Sequence, residues 1–133
     1  MENDAEFRKS MQDRIKKFAL RIIKLFQSLP ATDEARIIGK QLLRAATSVG
    51  ANYRAACRAR SPKEFYSKIS IVIEEADESM FWIELLAESN IVKAALLKDL
   101  LLENEEIIKI IVSARKKYQE NQKNLNNPIT QNS

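Results

Sequence analysis

The chain contains no histidine, and this absence excludes several common kinds of active site. Ser-His-Asp and Cys-His nucleophile systems use an imidazole as general base, and many zinc sites use it as a ligand. Di-iron centres in helical bundles need it too, in their Glu-x-x-His pairs. A carboxylate-only Mg²⁺ site stays open. We therefore predict that the protein is not an enzyme and uses no cofactor.

Cysteine, glycine and proline are also scarce, and long apolar runs are lacking. Cys57 is the single cysteine, so no disulfide can form within the chain, which agrees with a reducing cytoplasm. No apolar run approaches the roughly 20 residues of a membrane span, and the acidic amino terminus is unlike a signal peptide. We expect a cytoplasmic protein with no membrane association. The 45% hydrophobic and 30% charged residues are typical of a helix-rich protein with few turns.

Four segments repeat apolar residues at steps of three and four, the spacing of an amphipathic helix. Pro30 ends the first segment and Thr32 can cap the second. Ser61 followed by Pro62 is a strong start signal for the third. The predicted helices span about residues 5–29, 33–60 and 62–88, and a fourth, whose start the pattern does not place, reaches about residue 118.

The short connections predict an all-α fold, an antiparallel up-down-up-down four-helix bundle over residues 1–120. Residues 121–133 are rich in Asn and Gln, so we expect a disordered polar tail there. The third and fourth helices carry more apolar surface than one small bundle needs, notably at residues 80–86 and 100–112. Such surface usually marks an interface, so we expect a homo-oligomer.

Several residues of the second helix are unusual for a plain bundle. Gly39 and Gly50 are about three turns apart and share a face, which suggests the close approach of another backbone. Asn52 lies one turn after Ser48, and we expect the pair to form an internal hydrogen-bonded node. Cys57 lies among alanines and is expected to be a small core residue.

Charge is segregated along the chain. Residues 1–63 carry 14 Lys and Arg against 6 Asp and Glu, residues 64–106 carry 3 against 11, and the remainder carries 5 against 1. Basic surfaces attract phosphate backbones, and the first two helices would form one if they lie side by side. The candidate nucleic-acid-binding residues are Arg14, Lys17, Arg21, Lys24, Lys40, Arg44, Arg54, Arg58 and Arg60.

The acidic residues of the third helix allow two interpretations. Glu74, Glu75, Asp77 and Glu78 could pair with the basic helices or could form a carboxylate metal cluster. We favour ion pairing, because no catalytic spacing accompanies the run. A metal-dependent enzyme acting through Glu75 or Asp77 is the least favoured alternative.

The most distinctive stretch runs from residue 48 to residue 86. It contains Ser48-Val-Gly-Ala-Asn-Tyr-Arg-Ala-Ala-Cys-Arg-Ala-Arg-Ser-Pro-Lys-Glu-Phe, Glu75-Ala-Asp-Glu-Ser and Trp82-Ile-Glu-Leu-Leu. With these motifs the chain, over about residues 7–118, resembles the four-helix-bundle family encoded by 23S rRNA intervening sequences. The resemblance implies an antiparallel bundle that assembles as a homopentameric ring.

The resemblance also bears on partners and on single residues. A more distantly similar protein is the accessory protein of diversity-generating retroelements, a basic pentameric barrel that works with a reverse transcriptase and binds nucleic acid. At the matching polar positions, the resemblance implies structural ties between helices two and three or between subunits. These positions are Asn52, Arg54, Arg58, Glu75 and Glu78.

Two functions are therefore weighed. In the first, the oligomer binds the backbone of RNA or DNA through the basic faces of helices one and two. In the alternative, it is an interaction scaffold that docks a protein partner through its apolar or acidic surfaces and does not bind nucleic acid.

Overall fold

The structure is a computed structural model that describes residues 4–125. This part of the chain consists of helices and short connections, without a strand, which confirms the predicted all-α class. The helices are α1 (Asp4–Ser28), α2 (Asp33–Cys57), α3 (Pro62–Glu88) and α4 (Ala94–Leu125). None of them is long and apolar enough to cross a membrane.

α4 extends past the boundary predicted for the bundle. Residues 121–125, which the sequence assigned to a disordered tail, are helical. The physical reason is that neither glycine nor proline occurs between residue 94 and residue 125, while the Gln, Glu and Lys residues near the end of α4 favour helix. Residues 126–133 of the predicted tail lie outside the described residues.

Side-chain caps set the starts of two helices, as the sequence predicts. The Thr32 hydroxyl accepts a hydrogen bond from the Ala35 amide at 3.3 Å and so caps α2. The Ser61 hydroxyl accepts from the Glu64 amide at 3.1 Å and caps α3. After α3, Asn90 adopts a left-handed backbone conformation with φ of 62°, which asparagine tolerates better than most residues.

The core is a single cluster to which all four helices contribute. Fully burying a large aliphatic side chain contributes about 1.5–3 kcal/mol relative to leaving it exposed, so this cluster is the main source of stability. α1 and α4 are the pair of neighbouring helices that pack least closely. The largest fully buried apolar side chains are Ile15, Ile22, Leu42, Val49, Ile69, Val72, Ile83, Leu86, Leu97, Ile107 and Ile111.

Both glycines of α2 face α1. A Cβ atom added to Gly39 would lie 2.6 Å from Leu29 Cδ1 and 3.0 Å from Phe26 Cδ1. At Gly50 the nearest atom would be Ile15 Cγ2, at 3.6 Å. The close approach expected here is therefore made at Gly39, but by side chains of α1 and not by its backbone.

Polar residues inside the bundle are satisfied mainly within their own helix. The Asn52 amide donates to the Ser48 carbonyl at 3.0 Å and to its hydroxyl at 2.9 Å, which confirms the predicted node. Asn104 differs, because its amide nitrogen donates across to the Ala76 carbonyl of α3 at 2.9 Å. Asn104 is 1% exposed, and its Oδ1 atom is the one buried side-chain oxygen or nitrogen without a hydrogen-bond partner in residues 4–125.

Candidate nucleic-acid interface

The first group of candidate residues forms the basic stripe of α1, defined as Arg14, Lys17, Arg21 and Lys24. Steps of three, four and three residues keep these side chains on one face of the helix. Arg14 donates from Nε and Nη2 to the two carboxylate oxygens of Glu103 in α4, at 2.9 and 2.7 Å. A second carboxylate, Glu106, lies 3.3 Å from Arg14 Nη2. The stripe therefore borders α4 and not α2.

The Arg14 pair has a clear electrostatic signature. Hydrogen bonds from Arg14 hold the pKa of Glu103 below its usual range, and partial burial of the carboxylate works against this shift. The other three residues of the stripe, Lys17, Arg21 and Lys24, are exposed and form no ion pair with any residue of the described chain. Lys17 and Lys24 are free to meet an external anion, whereas the charge of Arg21 also helps to lower the pKa of Glu103.

In α2, Arg44 lies against α3. Its guanidinium donates to Glu75 at 3.1 Å and to Glu78 at 2.6 Å. These bonds lower the pKa of Glu78, and the Trp82 indole, which donates to the same carboxylate at 3.2 Å, lowers it further. Two of the acidic residues of α3 thus pair with a basic helix, as the ion-pairing interpretation predicts.

The other basic candidates of α2 are exposed. Lys40, Arg54 and Arg58, the last of which directly follows the end of α2, are exposed, and none has an ion-pair partner among residues 4–125. Arg60 follows the end of α2 and reaches Glu64 only at 4.0 Å. Within the described part of the subunit, Arg54 and Arg58 therefore form no ion pair with α3, and the expected tie to a neighbouring subunit stays a prediction.

The nine candidates do not form one continuous surface. α1 and α2 are neighbours, but the basic stripe of α1 borders α4, and Arg44 of α2 pairs with glutamates of α3. Arg14 and Arg44 are held by glutamates, while the exposed candidates form two separate groups. The group on α1 is Lys17, Arg21 and Lys24, and the group on α2 is Lys40, Arg54 and Arg58.

A second basic region, which sequence reasoning missed, lies where the start of α3 meets the end of α4. The rings of Phe65 and Tyr118 are 4.2 Å apart between centroids. Arg8 of α1 lies over the Phe65 ring at 5.9 Å, and Arg115 lies over the Tyr66 ring at 5.8 Å. The sequence does contain an indication of this region, because basic residues are in excess after residue 107. The prediction considered only the basic residues of helices one and two.

Cys57 and the acidic residues show no arrangement that holds a metal. Cys57 is half-buried and packs against the core, as predicted. It lies beside Tyr53, and burial together with the neighbouring thiol raises the pKa of that tyrosine. Within residues 4–125 no group of three or more Cys, Asp or Glu side chains is placed to hold a metal ion.

Comparisons with known proteins agree with the architecture. A family profile described as 23S rRNA-intervening sequence protein matches residues 9–113. A crystal structure of a protein with unknown function from the S23 ribosomal protein family of Bacteroides thetaiotaomicron is also similar, with a TM-score of 0.77 and 32% sequence identity. The match covers 82% of this chain and 97% of that one. No curated protein matches.

Proposed function

The chain belongs to the 23S rRNA-intervening sequence protein family, and on this premise we propose that it is a non-enzymatic, cytoplasmic, oligomeric bundle that binds the backbone of RNA or DNA. The observation that carries the proposal is the pair of exposed basic groups on α1 and α2. Lysine and arginine side chains without an internal partner can neutralise phosphates and release counterions. Binding of this kind is tolerant of sequence and falls steeply with salt.

The two basic groups contain only six of the nine candidate residues. Arg14 and Arg44 already donate to glutamates, so an approaching phosphate would have to compete with those carboxylates. We assign the main role to the six exposed side chains that form no ion pair, and a minor one to Arg14, Arg44 and Arg60. This division is a consequence of the ion pairs, because an engaged guanidinium releases fewer counterions when nucleic acid binds.

We also propose the antiparallel up-down-up-down arrangement and assembly of the bundles into a homopentameric ring, as the resemblance implies. The pairing of Gly39 with Leu29 and of Gly50 with Ile15 supports opposite directions for α1 and α2. Apolar side chains left on the outer surfaces of α3 and α4 support assembly. Among them, Phe81 is 54% exposed, Leu96 71% and Leu102 56%.

The same exposed apolar side chains favour the alternative function, a scaffold that docks a protein partner. Phe81 lies on the acidic helix α3, so a basic, amphipathic partner would suit this surface. A scaffold of this kind predicts no affinity for nucleic acid at any salt concentration. The two functions are therefore separated by a binding measurement.

Fluorescence anisotropy with labelled RNA and duplex DNA, titrated at several salt concentrations, tests the proposal. We expect micromolar binding to the native protein with a steep salt slope. The double variant Lys17→Glu/Lys24→Glu should bind at least about tenfold more weakly, with the slope on duplex DNA reduced by about 2, because each lost phosphate contact removes about 0.9 from it. Circular dichroism should show unchanged helix content.

A matched control separates a local effect from one of net charge. Lys93 and Lys98 are exposed near the start of α4 and belong to neither basic group, and Lys93→Glu/Lys98→Glu changes the net charge by the same amount. It should bind nearly as the native protein does. Equal losses in the two double variants, or no loss in the first, would contradict the assignment of the basic faces. Absence of binding by the native protein at low salt would favour the scaffold.

A further inference from the structure

One end of the bundle combines aromatic rings, basic side chains and concave surface. Here the start of α1, the end of α2, the start of α3 and the end of α4 meet, and Tyr118 lines three depressions of the surface. A groove between α1 and α4 has a volume of about 670 Å³ and an apolar floor that includes Phe7 and Ile110. A depression of about 480 Å³ beside it is bordered by Tyr66. The third, of about 220 Å³, is bordered by Arg60 and Cys57.

The aromatic rings at this end are each accompanied by an arginine or another ring. Tyr66 is 38% exposed although Arg115 lies over it at 5.8 Å. Phe65 lies between Arg8 and Tyr118, with distances of 5.9 and 4.2 Å to its ring centroid. Planar arginine and aromatic side chains are the groups on which unpaired bases stack, and such stacking tolerates any base.

Charge is polarised towards the same end. Residues 4–16, 46–75 and 108–125 form this half of the bundle and carry 14 basic and 7 acidic side chains. The other half, residues 17–45 and 76–107, carries 8 basic and 10 acidic side chains. The net charges are therefore +7 and −2, and an anionic ligand would be steered to the end that holds the rings.

The rim of the groove shows how a phosphate chain could be held. Lys117 of α4 lines it, and so does Lys109, which pairs with Glu105 at 3.2 Å. Arg8 lines it on the side of α1. Two carboxylates also line it, Asp4 and Glu106, but Glu106 is engaged by Arg14 at 3.3 Å. The apolar floor with a mainly basic rim matches a ligand that carries flat apolar groups on an anionic backbone.

We propose that this end of the bundle binds single-stranded nucleic acid, with unpaired bases stacked on Tyr66 and lodged against Tyr118 in the groove and with phosphates held by Lys117 and Arg115. Single strands fit because their bases can be splayed out, whereas a duplex hides the faces of its bases. The inference rests on the proposed function only in taking nucleic acid as the ligand. The residues assigned to this site are not among the nine candidates of α1 and α2, although Arg54 and Arg58 lie in the same half of the bundle.

The test compares a mixed-sequence 12-nucleotide RNA with the same sequence as a blunt duplex, by anisotropy on the full chain. Tyr66→Leu keeps an apolar side chain but removes the aromatic ring on which a base could stack. Tyr66→Phe keeps the aromatic ring. We expect Tyr66→Leu to weaken single-strand binding about 5- to 100-fold, the range that alanine substitution of stacking residues gives. Tyr66→Phe should bind as the native protein does, and duplex affinity should not change in either variant.

Further variants separate this inference from the proposed function. Arg115→Gln should also weaken single-strand binding and reduce its salt slope, whereas Lys17→Glu/Lys24→Glu should leave the single-strand preference in place. Loss of all binding in the α1 variant with none in Tyr66→Leu would overturn the end site and leave the proposed function standing. Loss in Tyr66→Leu alone would support the end site and contradict the basic faces.

A protein ligand gives a different result in the same assay. Binding of a labelled acidic helical peptide that is lost in Tyr66→Leu, with no binding of single-stranded RNA to the native protein, would overturn the inference in favour of a protein partner. Equal affinity of the native protein for single strand and duplex would also overturn it, because stacking requires unpaired bases. Thermal unfolding of each variant confirms that the bundle is intact.

Discussion

Gly39 and Gly50 share one face of α2 but meet different neighbours. At Gly39 the side chains of Leu29 and Phe26 occupy the space that a Cβ atom would need, whereas at Gly50 a Cβ atom would make an ordinary contact with Ile15. The shared face follows from helical spacing and was predictable. Which glycine is sterically required depends on how α1 packs, and the sequence does not contain that information.

The two glycines make a matched pair of substitutions. Gly50→Ala should raise the free energy of unfolding by about 0.5–1 kcal/mol, because alanine favours the helix and the new methyl group fits. Gly39→Ala should be at least about 1 kcal/mol less stable than Gly50→Ala, because Leu29 and the stiff ring of Phe26 must move. Urea unfolding of both variants measures the difference. Equal free energies of unfolding would mean that Leu29 and Phe26 can move aside without destabilising the bundle.

The burial of Asn104 could have been predicted from the periodicity of the sequence. It lies between glutamates, in a stretch that looks like solvent-exposed helix, yet it falls on the buried stripe of α4 together with Leu97, Leu100, Ile107 and Ile111. Steps of three and four residues join all five. Periodicity alone could have placed it inside, but its bond to α3 depends on the register of two helices, which only the folded chain defines.

At the scale of the helices, ion pairs connect elements that are distant in sequence. Arg14 links α1 to α4 through Glu103, and Arg44 links α2 to α3 through Glu75 and Glu78. Pairing of basic with acidic helices was predicted as a class of interaction. The particular partners, up to 89 residues apart, follow from helix packing and were not predictable from local pattern.

Glu103 should make the stability of the bundle fall at acid pH. Its folded-state pKa is lowered by Arg14, so the stabilisation is present above the unfolded value of about 4.3 and is lost as pH falls through the folded value. Glu103→Gln should therefore lower the melting temperature at pH 7 and should make little difference near pH 2. Both side chains are partly exposed, so we expect an effect of only about 1 kcal/mol.

Glu105→Gln is the control for this measurement. Glu105 pairs with Lys109 one turn along α4, at 3.2 Å and with both side chains well exposed. Such a surface pair contributes about 0.3–0.5 kcal/mol or less. Thermal unfolding followed by circular dichroism between pH 2 and pH 7 compares the two variants. Equal effects at every pH would show that the Arg14 pair adds no special stability.

At the scale of the whole molecule, the net positive charge lies at one end of the bundle, and part of the exposed apolar surface lies in the other half. The basic, aromatic end lies away from Phe81 and Leu102, which are more than half exposed on α3 and α4. A bundle organised in this way can assemble through α3 and α4 and still present its basic side chains to an anion. The proposed ring and the proposed binding of nucleic acid are therefore compatible in one molecule.

If the protein assembles as proposed, Phe81→Asp should reduce the mass of the particle in solution, because a carboxylate placed in an apolar interface lacks a partner. Leu20→Asp is the matched control, since Leu20 is 53% exposed and Phe81 is 54% exposed, but Leu20 lies on α1. Size-exclusion chromatography with light scattering measures both masses, and the proposed oligomer should resist high salt. An unchanged mass for Phe81→Asp would exclude this face from the interface.

The sequence by itself determined the helices, most of their ends and the side chains that face the core. These properties depend on interactions within a few residues: the capping hydroxyls of Thr32 and Ser61, the stop at Pro30 and apolar spacing matched to the helical turn. Even the missed extension of α4 to Leu125 is local, because nothing between residue 94 and residue 125 breaks the helix.

Only the tertiary structure decided which charged residues are engaged, which are free and where rings and cations meet. Arg14 and Lys17 look alike in the sequence, yet Arg14 is held by α4 and Lys17 faces solvent. Phe65 and Tyr118 are 53 residues apart and become neighbours only when α3 packs against α4. The physical reason is that helix rotation and register are set by the packing of the whole core, to which every buried residue contributes.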